Sequence, residues 1–347
     1  MFGERLKSAR KMAGLSMQAL ADKMNNVVTK QAISKYEQNR MKPDGQVLSA
    51  LSKVMDVSPD YFFQAPEYQI KNIEFRKKSR LNVTDQNRIK EISKSFIERN
   101  EELNDLLQIR YEFQSPIKNR IVSTFEDIDR IVTELRSQWK LGEWALPNVV
   151  ELLENRGVRI FEVDAPEAFD GLSGWADAIP MIVINESLDN DLCRKRFTVL
   201  HEFAHLVLDF RVPEQPRLKE KLCHYFAGAF LMPYNVFIRE FGARRKGVTL
   251  DELIRIKENF GISIQAIMAR ANVLGMISAQ KFQRFNIWIN KHGYRKNEPG
   301  QYCGAEKTSR FQSLINRAVT EEIISMSKAA TLAGKPLAAF RRNFNQI

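Results

Sequence analysis

The sequence predicts a multidomain protein that is mainly α-helical, with an α+β part between two helical regions. The chain has 347 residues, and at roughly 150 residues per domain this length allows about two or three domains. Apolar residues recur at helical spacing along most of the chain, whereas short β-rich runs occur in its middle. No internal repeat or low-complexity tract is present, so the region boundaries must come from changes in this pattern.

The composition excludes several classes of protein. Hydrophobic residues make up 44% and charged residues 27% of the chain, as in soluble globular proteins. No unbroken apolar run approaches the roughly 20 residues that span a bilayer, which excludes a membrane protein. The N-terminal residues lack the apolar centre of a signal peptide, and 3 cysteines are too few for a disulfide framework. We therefore expect a cytoplasmic, reduced protein.

The charge balance suggests a polyanionic partner. Lysine and arginine exceed aspartate and glutamate by 53 to 42, which gives a net charge of +11. Such a basic chain favours contact with nucleic acid or another polyanion. Charge alone does not say which, so the function must come from motifs.

Turn signals and charge-rich stretches divide the chain into four regions. The first region has short helical patterns and ends near the turn signal Ser58-Pro59-Asp60. A charge-rich stretch follows, with a predicted helix from about Thr84 to Tyr111. The predicted regions are a helical domain at 1–66, a charged helical connector at 67–120, an α+β domain at 121–276 and a helical C-terminal region of unknown role at 277–347.

Within the third region, two β-rich runs precede a helical pattern. Residues 157–161 and 181–184 predict short strands, and a helix is expected at about 190–209. A basic run, Arg194-Lys195-Arg196, precedes the apolar part of this helix; we expect it to be a solvated charged stretch, and the alternative is that it binds a substrate carboxylate.

The first region has the pattern of a DNA-reading helical unit. Helices are predicted at residues 2–13 and 17–24, and a third begins after Thr29, a favourable N-cap. In this third helix Ile33 and Tyr36 can pack inward while polar residues occupy the other face. An α-helix fits the major groove, where glutamine can pair with adenine and lysine can reach guanine or phosphate.

These residues resemble the XRE, or lambda-repressor-like, helix-turn-helix family. LSMQALADKM is similar to its second helix, and TKQAISKYEQNRMKPD is similar to its third helix and exit. The resemblance implies double-stranded operator DNA as a partner, and a homodimer that reads two half-sites. The alternative for the lysines is a solvated charged face, while Arg10 and Glu37 suit a structural ion pair. The predicted DNA-binding residues are Thr29, Lys30, Gln31, Ser34, Lys35 and Arg40.

A metal-binding motif is the sharpest feature of the sequence. His201 and His205 are four residues apart in an apolar helical stretch, so both imidazoles lie on one face and can bind one Zn²⁺. Glu202 stands beside them, where a general base for hydrolysis is needed. A catalytic zinc site also needs a third protein ligand. The residues alone leave Asp209, Glu214, Glu220 and His224 open, and spacing favours none of them decisively.

This stretch resembles the ImmA/IrrE metallopeptidase family. RFTVLHEFAHLVL followed by EKLCHYFAGAFLMP is similar to its two motifs, and FDGLSGWADAIPMIVIN resembles its strand region. The resemblance implies that Glu220 completes the zinc site with His201 and His205, and that Glu202 is the catalytic base. The expected fold is an all-α helix-turn-helix domain, then a zincin-like α+β metallopeptidase domain and a helical C-terminal region.

Together the two resemblances imply a DNA-binding transcriptional regulator with a zinc-dependent metallopeptidase domain that cleaves a protein partner or regulator. The alternative is an antitoxin or autorepressor of a toxin–antitoxin operon, in which the metallopeptidase fold binds a toxin or acts as a sensor without turnover. A third possibility is a peptidase whose helix-turn-helix only recruits a protein. In the first two cases the substrate or toxin is expected to be encoded nearby.

Overall fold

The structure is a computed structural model of the chain. It describes residues 2–25, 27–63, 73–75, 81–110, 113–115, 117, 120–210 and 215–344. Glu214, one of the candidate third ligands, lies outside the described residues. In the part of the chain that is described, no helix combines the length and apolar character needed to cross a bilayer.

The N-terminal unit consists of short helices that begin at polar caps. The side chains of Ser16, Thr29 and Asp44 each accept a hydrogen bond from a backbone N–H in the first turn of the next helix. Such caps stabilise a helix by about 1 kcal/mol each, which matters for helices of only two or three turns. The helices are α1 (Phe2–Met12), α2 (Met17–Lys23), α3 (Lys30–Glu37) and α4 (Gly45–Met55), followed by a 3-10 helix at Pro59–Phe62.

This unit has its own apolar core, which is formed by residues such as Leu6, Leu20, Ile33, Leu51 and Phe62. The predicted ion pair is present: Arg10 Nε lies 2.6 Å from Glu37 Oε1, which ties α1 to the end of α3. A Cβ atom at Gly3 would lie 2.3 Å from the carbonyl oxygen of Glu37, so α1 can approach α3 this closely only with glycine there.

The connector contains a strand as well as a helix. Strand β1 (Ile73–Phe75) precedes α5 (Val83–Leu106). The sequence predicted a charged helical connector with a helix from about Thr84 to Tyr111; α5 ends at Leu106, Tyr111 lies outside the described residues, and β1 was not predicted. α5 contacts both terminal units: Lys11 of α1 pairs with Glu91 at 2.9 Å, and Lys328 near the C-terminus pairs with Glu102.

The α+β part alternates helices with short strands. Its elements are β2 (Ile121–Val122), α6 (Phe125–Gln138), α7 (Val149–Glu154), β3 (Arg159–Val163), β4 (Gly171–Ala176), β5 (Ile179–Asn185), a 3-10 helix (Glu186–Asn190), α8 (Leu192–Val207), β6 (Asp209–Phe210), α9 (Pro216–Leu231), α10 (Tyr234–Phe241), α11 (Leu250–Phe260) and α12 (Ile264–Val273). The predicted strands at 157–161 and 181–184 correspond to β3 and β5.

A mixed sheet forms the frame of this part. Its strand order is β1-β4-β5-β3, in which β5 runs parallel to β3 and antiparallel to β4, and β1 pairs antiparallel with β4. Successive side chains alternate between its faces. Ile182 and Ile184 face a core that includes Val199 of α8, whereas Met181 and Val183 face a smaller core that includes Ile97 of α5. The sheet therefore lies between α8 and α5.

Two glutamates with largely covered side chains, 7% exposed at Glu298 and 0% at Glu306, fasten the C-terminal segment to the α+β part. Glu298 accepts hydrogen bonds from the backbone N–H groups of Ile264 and Gln265, and Glu306 accepts them from Val149 and Val150. Both cap helix N-termini, where a carboxylate is favoured. The helices of this segment are α13 (Ala279–Lys291), α14 (Arg310–Thr320), α15 (Met326–Ala333) and α16 (Leu337–Asn343). The predicted fold class, mainly α with an α+β part, is confirmed.

Candidate metal centre and nucleic-acid interface

α8 carries the predicted metal motif on its buried side. The side chain of Asp191 caps the helix by accepting a hydrogen bond from the Arg194 N–H at 3.0 Å. His201 and His205 lie one turn apart and are 5% and 2% exposed. Burial of a polar group costs free energy unless it finds a partner, so the atoms that surround these imidazoles decide what the site can bind.

α9 packs against α8 and brings a carboxylate to both histidines. Glu220 Oε2 lies 3.4 Å from His201 Nε2, and Glu220 Oε1 lies 3.4 Å from His205 Nε2. The two Nε2 atoms are 3.2 Å apart. Two imidazole nitrogens and a carboxylate therefore converge on one point, and they form the metal-capable group of His, Cys, Asp and Glu within the described residues.

The spacing of these atoms fits a tetrahedral zinc ion. Ligands about 2.0–2.1 Å from a tetrahedral centre lie roughly 3.3–3.4 Å from one another. The observed separations are 3.2, 3.4 and 3.4 Å. Two histidines and one glutamate are also a donor set of catalytic zinc sites, in which the fourth position takes water or substrate. The residues present fit zinc in both geometry and chemistry.

The second nitrogens of the histidines differ in their surroundings. His205 Nδ1 lies 3.5 Å from the buried Sγ of Cys223, whereas His201 Nδ1 is buried and has no hydrogen-bond partner among the described residues. When Nε2 binds a metal, Nδ1 carries the proton, and its contact orients the ring. The sequence interpretation treated Cys223 as a small core residue; it is buried, and its sulfur also contacts the ring of His205.

Glu202 lies on the sheet side of the same helix. It is 3% exposed, and its Oε2 accepts a hydrogen bond from Ser173 Oγ of β4 at 2.8 Å. This contact fixes the carboxylate beside the two histidines. Sequence reasoning missed Ser173, because nothing in the spacing of the predicted strand region marks this serine as a partner of Glu202.

The other candidate ligands are placed differently. Asp209 is exposed in β6 and does not join the three-residue group. His224 is exposed on α9, with its ring centroid 4.3 Å from that of His201.

Two other titratable side chains near the site are structural. Tyr225, the neighbour of His224, donates a hydrogen bond to Asp129 at 2.5 Å, and burial raises the pKa of the Tyr225 phenol. Cys193 is 3% exposed and belongs to the core, and this burial raises the pKa of its thiol to about 12.

The basic run before the motif is not solvated, contrary to the prediction. Lys195 and Arg196 are fully buried, and only Arg194 is exposed. The Lys195 ammonium lies 2.7 Å from Glu162, and the Arg196 guanidinium pairs with the buried carboxylate of Glu306. A charged pair is tolerated in a core when each member is paired and hydrogen-bonded. The prediction was wrong because Glu306 is 110 residues away along the chain.

The outer face of α3 carries the predicted DNA-binding residues. Ile33 and Tyr36 are buried in the core of the unit, which turns the opposite side of α3 to solvent. Thr29 caps the helix through a hydrogen bond from the Ala32 N–H at 3.2 Å, and Ser34 Oγ accepts one from Gln38 at 3.1 Å. Thr29, Lys30, Gln31, Lys35 and Arg40 are exposed, and Ser34 is half-buried.

Comparison with protein-family models identifies both regions. Residues 6–62 match the helix-turn-helix model, and residues 153–272 match the peptidase M78 model, described as an IrrE N-terminal-like domain. The chain joins an XRE-type helix-turn-helix domain to an ImmA/IrrE-like domain. Both resemblances drawn from the motifs are thereby confirmed, and the second match includes the two histidines and Glu220.

Three curated relatives from Bacillus subtilis (strain 168) are similar over short stretches. The SPbeta prophage-derived uncharacterized HTH-type transcriptional regulator YonR is 39% identical over 69 residues, 20% of this chain and 62% of the relative. The uncharacterized HTH-type regulator YqaE is 39% identical over 64 residues, 18% and 53% of the two chains. The HTH-type transcriptional regulator ImmR is 37% identical over 70 residues, 20% and 54% of the two chains.

This chain therefore spans a little over half the length of the curated relatives that it matches. No solved structure matches the chain.

Proposed function

We propose that this protein is a DNA-binding transcriptional regulator whose second domain is a zinc-dependent peptidase that acts on a protein partner or regulator. The convergence of His201 Nε2, His205 Nε2 and the Glu220 carboxylate within 4.8 Å carries the proposal. Glu202 lies on the same helix between the two histidines, where a general base is needed. The match to a peptidase M78 model supports the same chemistry.

In this proposal His201, His205 and Glu220 hold the metal. A bound Zn²⁺ supplies a Lewis acid for a peptide carbonyl and lowers the pKa of a bound water towards about 7. Cys223 contributes through His205, because its sulfur lies 3.5 Å from the Nδ1 atom of that ring.

Glu202 moves the protons of the reaction. Its carboxylate accepts a proton from the attacking water as the oxygen adds to the peptide carbonyl carbon. It then donates a proton to the amide nitrogen, the C–N bond breaks, and a carboxylate and an amine are released. Ser173 holds one Glu202 oxygen at 2.8 Å, which keeps the base in one orientation during both transfers.

The N-terminal unit supplies the DNA contact in this proposal. Lys30, Gln31, Ser34 and Lys35 lie on the face of α3 that would enter the major groove, while Thr29 and Arg40 flank it. A single α3 reads one half-site, so two copies of the chain would read half-sites about 34–36 Å apart. The chain's net charge of +11 supports attraction to DNA.

We propose that this regulator acts in the cytoplasm. There it would bind an operator and cleave a protein that is encoded nearby. The three curated relatives are named as HTH-type regulators, and one is described as prophage-derived. Their names support transcription regulation. The proposal of a protein substrate is based on the residues of the hydrolytic site. The names of the relatives give no support for it.

Two measurements test this function. DNA selected from a random library should bind the unsubstituted chain specifically, and Gln31→Ala should relax the sequence preference. In cells that express the chain, mass spectrometry of protein N-termini should find new termini. They should disappear with His201→Ala, which removes a ligand, and persist with His292→Ala, an exposed histidine outside the site.

The outcomes separate the two parts of the proposal. Specific DNA binding with no new N-termini would overturn the peptidase and favour the antitoxin-like alternative, in which the domain only binds a partner. New N-termini without specific DNA binding would overturn the regulator and leave a peptidase that is recruited through its N-terminal unit.

A further inference from the structure

One face of β4 lies against the side of α8 that carries Glu202. β4 pairs with β5 on one side, and β1 covers its other side. β4 also packs closely on α8, because a Cβ atom at Gly171 would lie 3.0 Å from Thr198 Cγ2. Two positions along, Ser173 donates its hydrogen bond to Glu202. A strand that pairs with this edge therefore passes beside the proposed catalytic base.

β1 already pairs with this edge. It runs antiparallel to β4, with Ile73 opposite Ala176, Glu74 opposite Trp175 and Phe75 opposite Gly174. The strand thus runs towards Ser173, the residue next to Gly174. Paired Cα atoms in antiparallel strands lie about 4.5–5.5 Å apart, and one residue advances about 3.4 Å along a strand. The Phe75 backbone is therefore roughly 6 Å from that of Ser173.

A strand tethered in this way is hard to displace. An extended peptide binds a sheet edge through backbone hydrogen bonds, and such an edge takes only one strand at a time. β1 is joined to α5 by the seven residues between Phe75 and Val83. A segment held by so short a tether competes as though it were free peptide at about millimolar concentration.

We propose that β1 is an intramolecular competitor for the metal centre. The chain's own connector occupies the strand edge at which an extended protein segment must pair to reach Glu202, and this inference rests on the peptidase function proposed above. The substrates are then extended or unfolded segments that run antiparallel to β4 and displace β1. Because β1 belongs to the connector next to the helix-turn-helix unit, access to the peptidase site is regulated from that side.

The test compares three full-length chains in a Glu202→Gln background, so that a probe is bound without being cut. One has no further change. The second carries Ile73→Pro with Glu74→Pro, which removes two consecutive backbone N–H groups, one of which points to β4 in an antiparallel pair. The third carries Ile73→Val with Glu74→Gln, which changes the same positions and keeps both N–H groups.

The probe is a fluorescent peptide with the sequence of residues 68–80, with a scrambled version as a control for charge. We expect its anisotropy titration to show binding to the two-proline chain about tenfold or more tighter than to the other two chains, because the tethered competitor has been weakened. Hydrogen exchange should show faster exchange in β4 of the two-proline chain and unchanged protection in β5, which establishes that the domain stays folded.

Equal affinities of the three chains for the probe, or unchanged hydrogen exchange in β4, would contradict the proposal that β1 competes for this strand edge. Failure of the proposed peptidase has a different signature. With Glu202 restored and zinc added, none of the chains would cut the probe, while the tenfold difference in its binding would remain. If the probe is cut, the two-proline chain should cut it faster at probe concentrations below saturation, and equal rates would contradict the proposal.

Discussion

The two candidate functional regions place their side chains in opposite environments. On α3 the predicted DNA contacts are exposed apart from the half-buried Ser34, and only Ile33 and Tyr36 of that helix are buried. On α8 the metal motif is buried, together with the residues that orient it. A charge on an exposed face costs little to keep, whereas a buried polar group must be paired. Substitutions on the exposed face of α3 should therefore change DNA binding without changing stability. Substitutions among the buried residues of α8 should change both the chemistry of the site and the stability of the protein.

The largest effect should come from the catalytic base. Glu202→Gln keeps the hydrogen-bond acceptor for Ser173 but removes the proton acceptor, so the rate of peptide hydrolysis should fall by about 10²–10⁴-fold. Zinc content and DNA affinity should stay as in the unsubstituted chain. The measurement is the cleavage rate of the identified substrate beside metal analysis. A rate that falls less than tenfold would remove Glu202 from the mechanism.

The next effect concerns the buried pair that supports α8. Glu306→Ala leaves the Arg196 guanidinium buried and unpaired, which should cost about 3–5 kcal/mol in the free energy of unfolding. Urea denaturation measures it, with Glu167→Ala as the control because Glu167 and its partner Lys296 are exposed. If the alanine variant does not fold, Glu306→Gln should fold with a smaller loss. A loss equal to that of the control would contradict the coupling of charge and stability at α8.

At α3 the expected effect is on binding alone. Lys30→Ala and Lys35→Ala should each lower DNA affinity by about 1–3 kcal/mol if the lysine meets a base, and should reduce the slope of log affinity against log salt by about 1 if it meets a phosphate. The melting temperature should not move. Lys296→Ala, an exposed lysine elsewhere, is the control. A loss in the free energy of unfolding equal to the loss in the free energy of DNA binding would contradict the difference drawn between α3 and α8.

The last prediction is a pH dependence of stability. Burial raises the pKa of Glu154 from 4.5 to about 8, and within the described part of the chain its Oε2 has no hydrogen-bond partner. The unfolded chain ionises this carboxyl from about pH 4.5, and the folded chain only near pH 8, so the folded state loses relative stability as pH rises across that interval. Glu154→Gln should therefore have little effect at pH 4 and stabilise the protein increasingly towards pH 8. Urea midpoints at pH 4, 6 and 8 check this, and a constant difference would contradict it.

Local patterns explain why the sequence predicted both motifs. His201 and His205 share a face because of their i, i+4 spacing. The caps Ser16 and Thr29 mark the starts of α2 and α3. The third ligand was harder to predict, because spacing left four candidate residues open and only the family resemblance selected Glu220. The two family matches confirmed that resemblance, while the ligand role of Glu220 remains a proposal supported by its position.

Contacts between distant parts of the chain were not predictable. Ser173 and Glu202 are 29 residues apart, and β1 pairs with β4 across about a hundred residues. Neither contact leaves a periodic signal, and β4 mixes glycines with Leu172 and Trp175 in an order that does not alternate in hydrophobicity. Arg196 was assigned to the surface from its charge alone, because its partner Glu306 comes from the C-terminal segment.

The most direct test of the account is the coordination of the metal in the full-length protein. Metal analysis should find about one zinc per chain, and X-ray absorption should find nitrogen and oxygen ligands at about 2.0–2.2 Å. Both signals should be lost in His201→Ala and retained in His292→Ala. A well-folded chain without zinc, or zinc bound by sulfur at about 2.3 Å, would contradict the assignment of His201, His205 and Glu220 as the metal ligands.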